Sequence, residues 1–245
     1  MISRGDVAVS LTTGLGSYLI TLYNHIALQL SQQYIANSPF CQDSDTLTML
    51  ATSTTAAISA GLAKEDIIAD IFPGQEFAPM GALLVDYEAH PDHVVALGNT
   101  LPTATTQEPP QFFYQPFADL DTEAKYTLVM TDPDAPSRTD KKYSEYCHYV
   151  VTDISFADAK GGAIKPEQFH TAESYIGPGP PQGTGLHRYI FLLFKQATGT
   201  KGAEFTKVKE RFNWGYGKPG VGIDIYAKAN NLTLIAANYF LAENK

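Results

Sequence analysis

SYIGPGPPQGTGLHRYIFLLF, residues 174–194, joins two halves that cannot share one conformation. Residues 177–185 are too dense in Gly and Pro for a helix or a regular strand. Proline removes backbone donors and fixes φ, while glycine opens φ > 0 and lets other groups approach the backbone. From His187 onward the chain turns apolar and aromatic, with strong β character. Alternation along that strand puts His187, Tyr189, Phe191 and Leu193 on one face and Arg188, Ile190, Leu192 and Phe194 on the other. A stiff loop thus delivers a His and a Tyr side by side at the mouth of a buried strand, which is one way to build a pocket.

A second, charged turn lies upstream. YTLVMTDPDAPSR (residues 126–138) reads as a strand running straight into Asp132, Pro133, Asp134, Ala135 and Pro136. Aspartates in such turns cap their own backbone, and that reading stands beside a functional one. The chain then returns as a strand, YSEYCHYVV (143–151), in which alternation groups Tyr146, His148 and Val150 and turns Cys147 the other way. Cys147 is therefore expected in the core rather than as a nucleophile. Two histidines, His148 and His187, each stand at a strand rim beside a Pro-rich turn. An aspartate next to a histidine fixes its tautomer and favours its charged form, which suits a donor-rich site for phosphate or carboxylate, and Asp132 is placed to do this. Backbone N–H groups at Gly177, Gly179 and Gly183 would add donors for the same anion. No metal is expected, because the D-x-D is interrupted by Pro and no H-x-x-E/H spacing occurs. A G-x-S-x-G elbow is also lacking, which argues against a serine hydrolase.

Working outward, residues 56–71 show helical spacing (Ile58, Leu62, Ile67, Ile68, Ile71) ended by Pro73-Gly74. Strands are predicted at 82–87, 112–117, 125–131, 147–154, 188–195 and 232–240, with helical character at 203–211 and 225–230. Strands and helices do not alternate, so a parallel α/β sheet is disfavoured and an antiparallel β core with peripheral helices is expected. The chain's 245 residues allow one large core. Its net charge of −9 and lack of a basic stripe argue against nucleic acid as a partner. Two cysteines make no disulfide framework, and no apolar run is long enough to span a membrane. Residues 1–48 form an extension of open role: a targeting segment, an appended helix with Leu15, Leu19, Leu22, Ile26 and Leu30 at helical spacing, or an ill-ordered tail. The functional body is read as 49–245. The sequon Asn231-Leu232-Thr233 is taken as a chance match.

DPDAPSR (132–138) with Tyr143 and His148 behind it, followed by GPGPPQGTGLHRYIFLLF (177–194), resembles the two signature segments of the phosphatidylethanolamine-binding protein (PEBP) family. LGNTLP (97–102) and RFNWGYGKPGVGIDIYAKANNLTLIAANYF (211–240) are similar to its fungal branch, the carboxypeptidase Y inhibitors. The resemblance implies a mainly β fold of two antiparallel sheets with a small anion pocket at one end. It implies that the pocket comprises Asp132, Asp134, Pro136, Tyr143, His148, Gly177, Gly179, Pro181, His187 and Tyr189, and that the Ala135–Pro136 peptide is cis. It further implies a non-enzymatic binding protein without cofactor, cytoplasmic, with the vacuole as an additional compartment. Its partners would be a serine carboxypeptidase and anionic phospholipid head groups or phosphate. The alternative reading is a lipid- or phosphate-sensing regulator of signalling proteins without a protease partner. Three departures are visible: Tyr146 stands where Trp is common, Cys147 where a second His often sits, and no counterpart of the pocket-closing helix of many animal members is evident.

Overall fold

The strand that follows the Gly/Pro loop lies deep inside the protein. In the computed structural model, which describes residues 44–87 and 91–245, His187–Gln196 is flanked on both sides by other strands. The helical spacing read at residues 15–30, and the targeting alternatives, lie outside the described residues.

Among the described residues eight strands form two antiparallel sheets: β1 (Gly81–Asp86), β2 (Gln111–Pro116), β3 (Tyr126–Asp132), β4 (Tyr146–Ile154), β5 (Gly162–Ile164), β6 (His170–Glu173), β7 (His187–Gln196) and β8 (Leu232–Ala242). The small sheet has the order β1-β2-β5 and the large one β6-β4-β3-β7-β8. The six expected strands are all present, each within two residues of its expected bounds at either end. The short strands β5 and β6 carry too few residues for alternation to register, and both lie at sheet edges.

The inward face of β7 (Tyr189, Phe191, Leu193) meets the inward face of the small sheet, and this seam is the main core. Aromatic edges fix its packing: Phe112 meets Phe191 edge-on at 5.5 Å between ring centroids, and Tyr87 meets Phe240 at 5.7 Å. The outward residues Ile190, Leu192 and Phe194 are equally buried.

Helix α1 (Ser44–Lys64) places Thr54, Ile58 and Leu62 on one buried stripe at i, i+4, i+8. At Gly61 the backbone comes close: a Cβ there would lie 2.9 Å from the Leu97 side chain, and the Gly61 carbonyl accepts the Tyr239 hydroxyl at 3.0 Å. The expected helix over 56–71 is in fact two, because Asp66 adopts a left-handed conformation and α2 (Ile67–Ile71) starts anew. The Pro73-Gly74 turn ends it as the sequence indicates.

Helix α3 (Gly222–Ala229) matches the second expected C-terminal helix. The first, over 203–211, does not form beyond a single turn at Gly202–Glu204. Its residues have helical propensity, but Arg211 is committed elsewhere. Its guanidinium donates to the carbonyls of Cys147, His148 and Ser174, and its own carbonyl accepts the Cys147 N–H. Five-donor guanidinium bonding to three carbonyls outweighs a propensity worth tenths of a kcal/mol per residue.

Candidate functional site

The two signature turns meet at one end of the large sheet. Asp132 is the last residue of β3 and His187 the first of β7, so adjacent antiparallel strands bring them together. His187 Nδ1 lies 2.9 Å from Asp132 Oδ2. The other carboxylate oxygen, Asp132 Oδ1, accepts the Asp134 N–H at 2.7 Å. Both readings of Asp132 therefore hold at once: it closes its own turn and it orients a histidine.

On its far side, His187 Nε2 lies 3.0 Å from Thr184 Oγ1, which donates its one proton to the Pro181 carbonyl at 2.7 Å. His187 is thus held at both ring nitrogens, by a carboxylate on one side and a hydroxyl on the other.

His148 reaches the same side through an irregularity. Met130 pairs with Tyr149 and Thr131 with Cys147, so His148 is the extra residue of a bulge in β4. Strict alternation would group His148 with Val150, but Tyr149 and Val151 are the ones in the inner core. The bulge lets the successive residues His148 and Tyr149 both turn inward, where they meet Tyr189 and Phe112, while Tyr146 packs on His148. His148 Nδ1 meets the Ile176 carbonyl at 2.7 Å, which fixes the proton on Nδ1. Burial holds this imidazole below the usual histidine range, with the Asp132 charge opposing, so the ring is neutral and presents a bare Nε2. Tyr189 lies between the two: His148 meets it edge-on at 5.3 Å and His187 stacks at 6.4 Å. Burial pushes its phenol far up, against the Gly179 backbone N–H that bonds it.

The other expected residues divide. Pro136 follows the cis Ala135–Pro136 peptide implied by the resemblance, and a second cis peptide joins Ser144 to Glu145. Gly177 is pressed against the chain, with room for no Cβ: Gln107 Cα would lie 2.7 Å away. Gly179 is exposed and lines, with Thr103, Gln107 and Asn244, a shallow cavity of about 210 Å³ that the two histidines do not line. Pro181 is exposed, and its carbonyl caps Thr184. Tyr143 is 40% exposed and stands at the rim. Asp134 is not with the histidines; its carboxylate is gripped by Arg188 on the opposite face. Nor is the Gly183 N–H a spare donor, because it bonds the Asn244 carbonyl at 3.0 Å. A Gly/Pro loop leaves few intraloop bonds, so the C-terminal residues satisfy it instead. Cys147 is fully buried, and burial raises its thiol well above the usual range, in keeping with a core residue.

Phe212 was not legible as a site residue. It is 44% exposed and meets Tyr143 at 4.6 Å and Tyr146 at 5.3 Å, extending the ring contacts outward from His148. Thr184 is not among the expected residues either, though a Thr between two glycines beside a His is a readable ST-turn. Among the described residues no group of three or more His, Cys, Asp or Glu is arranged to hold a metal ion, and no helix is long and apolar enough to cross a membrane.

A sequence model described as phosphatidylethanolamine-binding protein matches residues 91–240. The carboxypeptidase Y inhibitor of Saccharomyces cerevisiae is 42% identical over 205 residues, covering 74% of this chain and 93% of its own. An uncharacterised protein of the same yeast is 46% identical over 193 residues, covering 78% and 95%. The fold is similar to the crystal structure of carboxypeptidase Y inhibitor complexed with the cognate proteinase, with a TM-score of 0.73 and 41% identity over 78% of this chain and 97% of that one. The phosphatidylethanolamine-binding protein of Plasmodium vivax, at 23% identity and a TM-score of 0.61 over 76% and 97% of the two chains, shares the fold.

Proposed function

The chain belongs to the phosphatidylethanolamine-binding protein family, and from that premise we propose that it is a non-enzymatic inhibitor of a serine carboxypeptidase of the carboxypeptidase Y type. One observation carries this reading. The similarity to the yeast inhibitor runs through 93% of that protein, and the fold matches the inhibitor as it stands bound to its proteinase. The cytoplasm or the vacuole is where such an inhibitor would act, which fluorescence microscopy of a tagged chain would test.

In this reading the protein also takes a phosphate or an anionic phospholipid head group beside Asp132, His148, Tyr189 and His187. What supports it is the placement of two histidines and a tyrosine at one end of the sheet, with His187 held by Asp132 and facing a Thr184 hydroxyl that an anion could replace. A hydrogen bond to an ionised acceptor such as phosphate is about twice as strong as a neutral one. In this reading Pro136 and Gly177 shape the wall, Gly179 bonds the Tyr189 hydroxyl, Pro181 holds Thr184 beside His187, and Tyr143 forms the rim. Asp134 contributes by fixing Arg188 rather than by touching the anion.

The decisive experiment is inhibition of a purified serine carboxypeptidase, read as hydrolysis of a blocked dipeptide against increasing inhibitor. Inhibition by a one-to-one complex supports the proposal. No inhibition, together with retained phosphate binding, favours the regulator without a protease partner.

A further inference from the structure

At the far end of β7 from His187, and on its outward face, a separate cleft of about 310 Å³ opens between α2, the 72–78 loop, α3 and the start of β8. Seven residues of strand separate Phe194 from His187, or roughly 23 Å at about 3.3 Å per residue. The cleft is thus not part of the anion site, and its occupant is independent of whether the protein inhibits a carboxypeptidase. Its floor is apolar: Phe72, Phe194 and Ala227 are each 5% exposed or less. Ile68, Phe77 and Leu234 form half-buried walls.

The charge at the mouth is one-sided. Lys228 is neutralised by Asp224 at 2.7 Å, and the second oxygen of Asp224 accepts the Gln75 amide at 2.7 Å. Glu76, exposed at the rim, has no ion pair among the described residues, so one uncompensated negative charge faces the opening. One wall is also a sheet edge. β8 is the outermost strand of its sheet, and the Ile235 carbonyl accepts the Met80 N–H at 2.8 Å. Before that point, residues 232–234 have no backbone partner on their outer side among the described residues. An apolar pocket beside an unpaired strand edge is the geometry that accepts an extended peptide, with main-chain bonds along the edge and a side chain in the pocket.

We propose that this cleft binds an extended segment of a partner protein that presents a large apolar side chain next to a lysine or arginine. The apolar side chain covers Phe72 and Phe194, the backbone pairs with residues 232–234, and the cation meets Glu76.

The test uses the full chain, isotope-labelled for NMR, and two blocked tetrapeptides that alternate phenylalanine and leucine with lysine in one case and with glutamate in the other. The basic peptide should shift the amides of residues 68–78 and 224–234 saturably, and the acidic one should bind about tenfold more weakly. Inorganic phosphate should not compete. Glu76→Gln should weaken the basic peptide roughly threefold, the scale of one exposed ion pair. Ala78→Arg, which sets a cation in the mouth, should abolish binding with the spectrum otherwise intact. The proposal is overturned by equal affinity for both peptides, by shifts elsewhere on the surface, or by no saturation below about 1 mM peptide. Phenethylammonium binding as tightly as the basic peptide would also overturn it, since the occupant would then be a small cation and not a chain.

Discussion

Arg188 grips Asp134 with two parallel hydrogen bonds, Nε to Oδ2 at 2.9 Å and Nη2 to Oδ1 at 2.7 Å, and its own backbone N–H donates to the same carboxylate. Next to it in sequence, His187 turns the other way to Asp132. The pairs Asp132/Asp134 and His187/Arg188 therefore serve two faces of one sheet: a site on the inner face, a tie to the helices on the outer. The guanidinium reaches further, to Asp70 Oδ2 at 2.7 Å and to the Glu65 carbonyl at 2.7 Å, and so fastens the α1–α2 junction to the sheet.

The first prediction rests on the burial of that pair. Replacing Arg188 by Met leaves the Asp134 carboxylate, 0% exposed, without its main partner. Breaking one half of a buried pair costs about 3–5 kcal/mol. Urea denaturation should show a loss of that order for Arg188→Met and much less for Arg188→Met combined with Asp134→Leu. A double variant as unstable as the single one would mean that the fork is not what ties the faces together.

The second concerns the inner face. His187→Ala removes the ring that would bond the anion and should weaken phosphate or glycerophosphate binding by roughly 1.5–3 kcal/mol, the value of a hydrogen bond to a charged group. Asp132→Asn should weaken it too, by loosening the ring that Asp132 orients. Calorimetric titration that finds His187→Ala binding unchanged would remove this histidine from the anion site.

Much of this arrangement was legible in the sequence. Alternation placed His187 and Tyr189 together because β7 is regular through its whole inward face, and it placed Arg188 on the other side for the same reason. Asp132 was legible because it ends a strand that pairs directly with β7. Alternation failed where the strand stopped being one. Asp134 stands two residues beyond Asp132 but past the end of β3, so the period of two no longer applies and the turn carries it to the outer face. His148 faces inward through a bulge that no periodicity reports. Phe212 and Thr184 depend on contacts between segments far apart or on a single hydroxyl, and neither leaves a pattern in composition.

The third prediction is a pH dependence of stability. Burial raises the Glu145 carboxyl to about 8, aided by the negative charges of Asp224 and Asp70 and opposed by the Ile223 N–H and Lys141. Its Oε2 accepts the Ile223 N–H at 2.7 Å, while Oε1 has no hydrogen-bond partner among the described residues. The folded state keeps a proton that the unfolded state, titrating at about 4.3, gives up. Stability from this group is therefore fully present below pH of about 4.3 and is lost as pH rises towards about 8. Glu145→Gln keeps an acceptor for Ile223 and has no charge to bury. It should flatten this slope and be the more stable protein above pH 8, by an amount on the order of a few kcal/mol. Parallel stability–pH curves for the two proteins would refute the assignment.

The fourth separates the anion site from the protease contact. A head group is recognised by a few polar atoms, whereas a stable protein complex buries about 1,200–2,000 Å² in total. Saturating the site with glycerophosphate should leave carboxypeptidase inhibition in place, and His187→Ala should inhibit as well as the parent protein. Loss of inhibition in both experiments would mean one shared surface.

The last prediction addresses residues 1–48, which we propose are dispensable for the fold and hinder inhibition. A carboxypeptidase cleft receives chain ends, so an inhibitor must either present a terminal segment to it or cover its entrance. Segments at a domain's edge are the natural candidates because few contacts constrain them. If the contact begins near Met49, residues ahead of it obstruct insertion into a closed cleft. Since α1 already begins at Ser44, the informative truncation removes residues 1–43 and leaves that helix whole. It should keep thermal stability within about 1 kcal/mol, the usual range for changes that touch no core, and should tighten inhibition. A longer truncation through Leu62 is the control, because it takes Ile58 and Leu62 out of the core and unties the Gly61 carbonyl from Tyr239. With each buried aliphatic side chain worth about 2–5 kcal/mol, that version should unfold. If the shorter truncation abolishes inhibition with the fold intact, the extension itself is the contact. If it unfolds the protein, residues 1–43 belong to the core and the expectation is wrong.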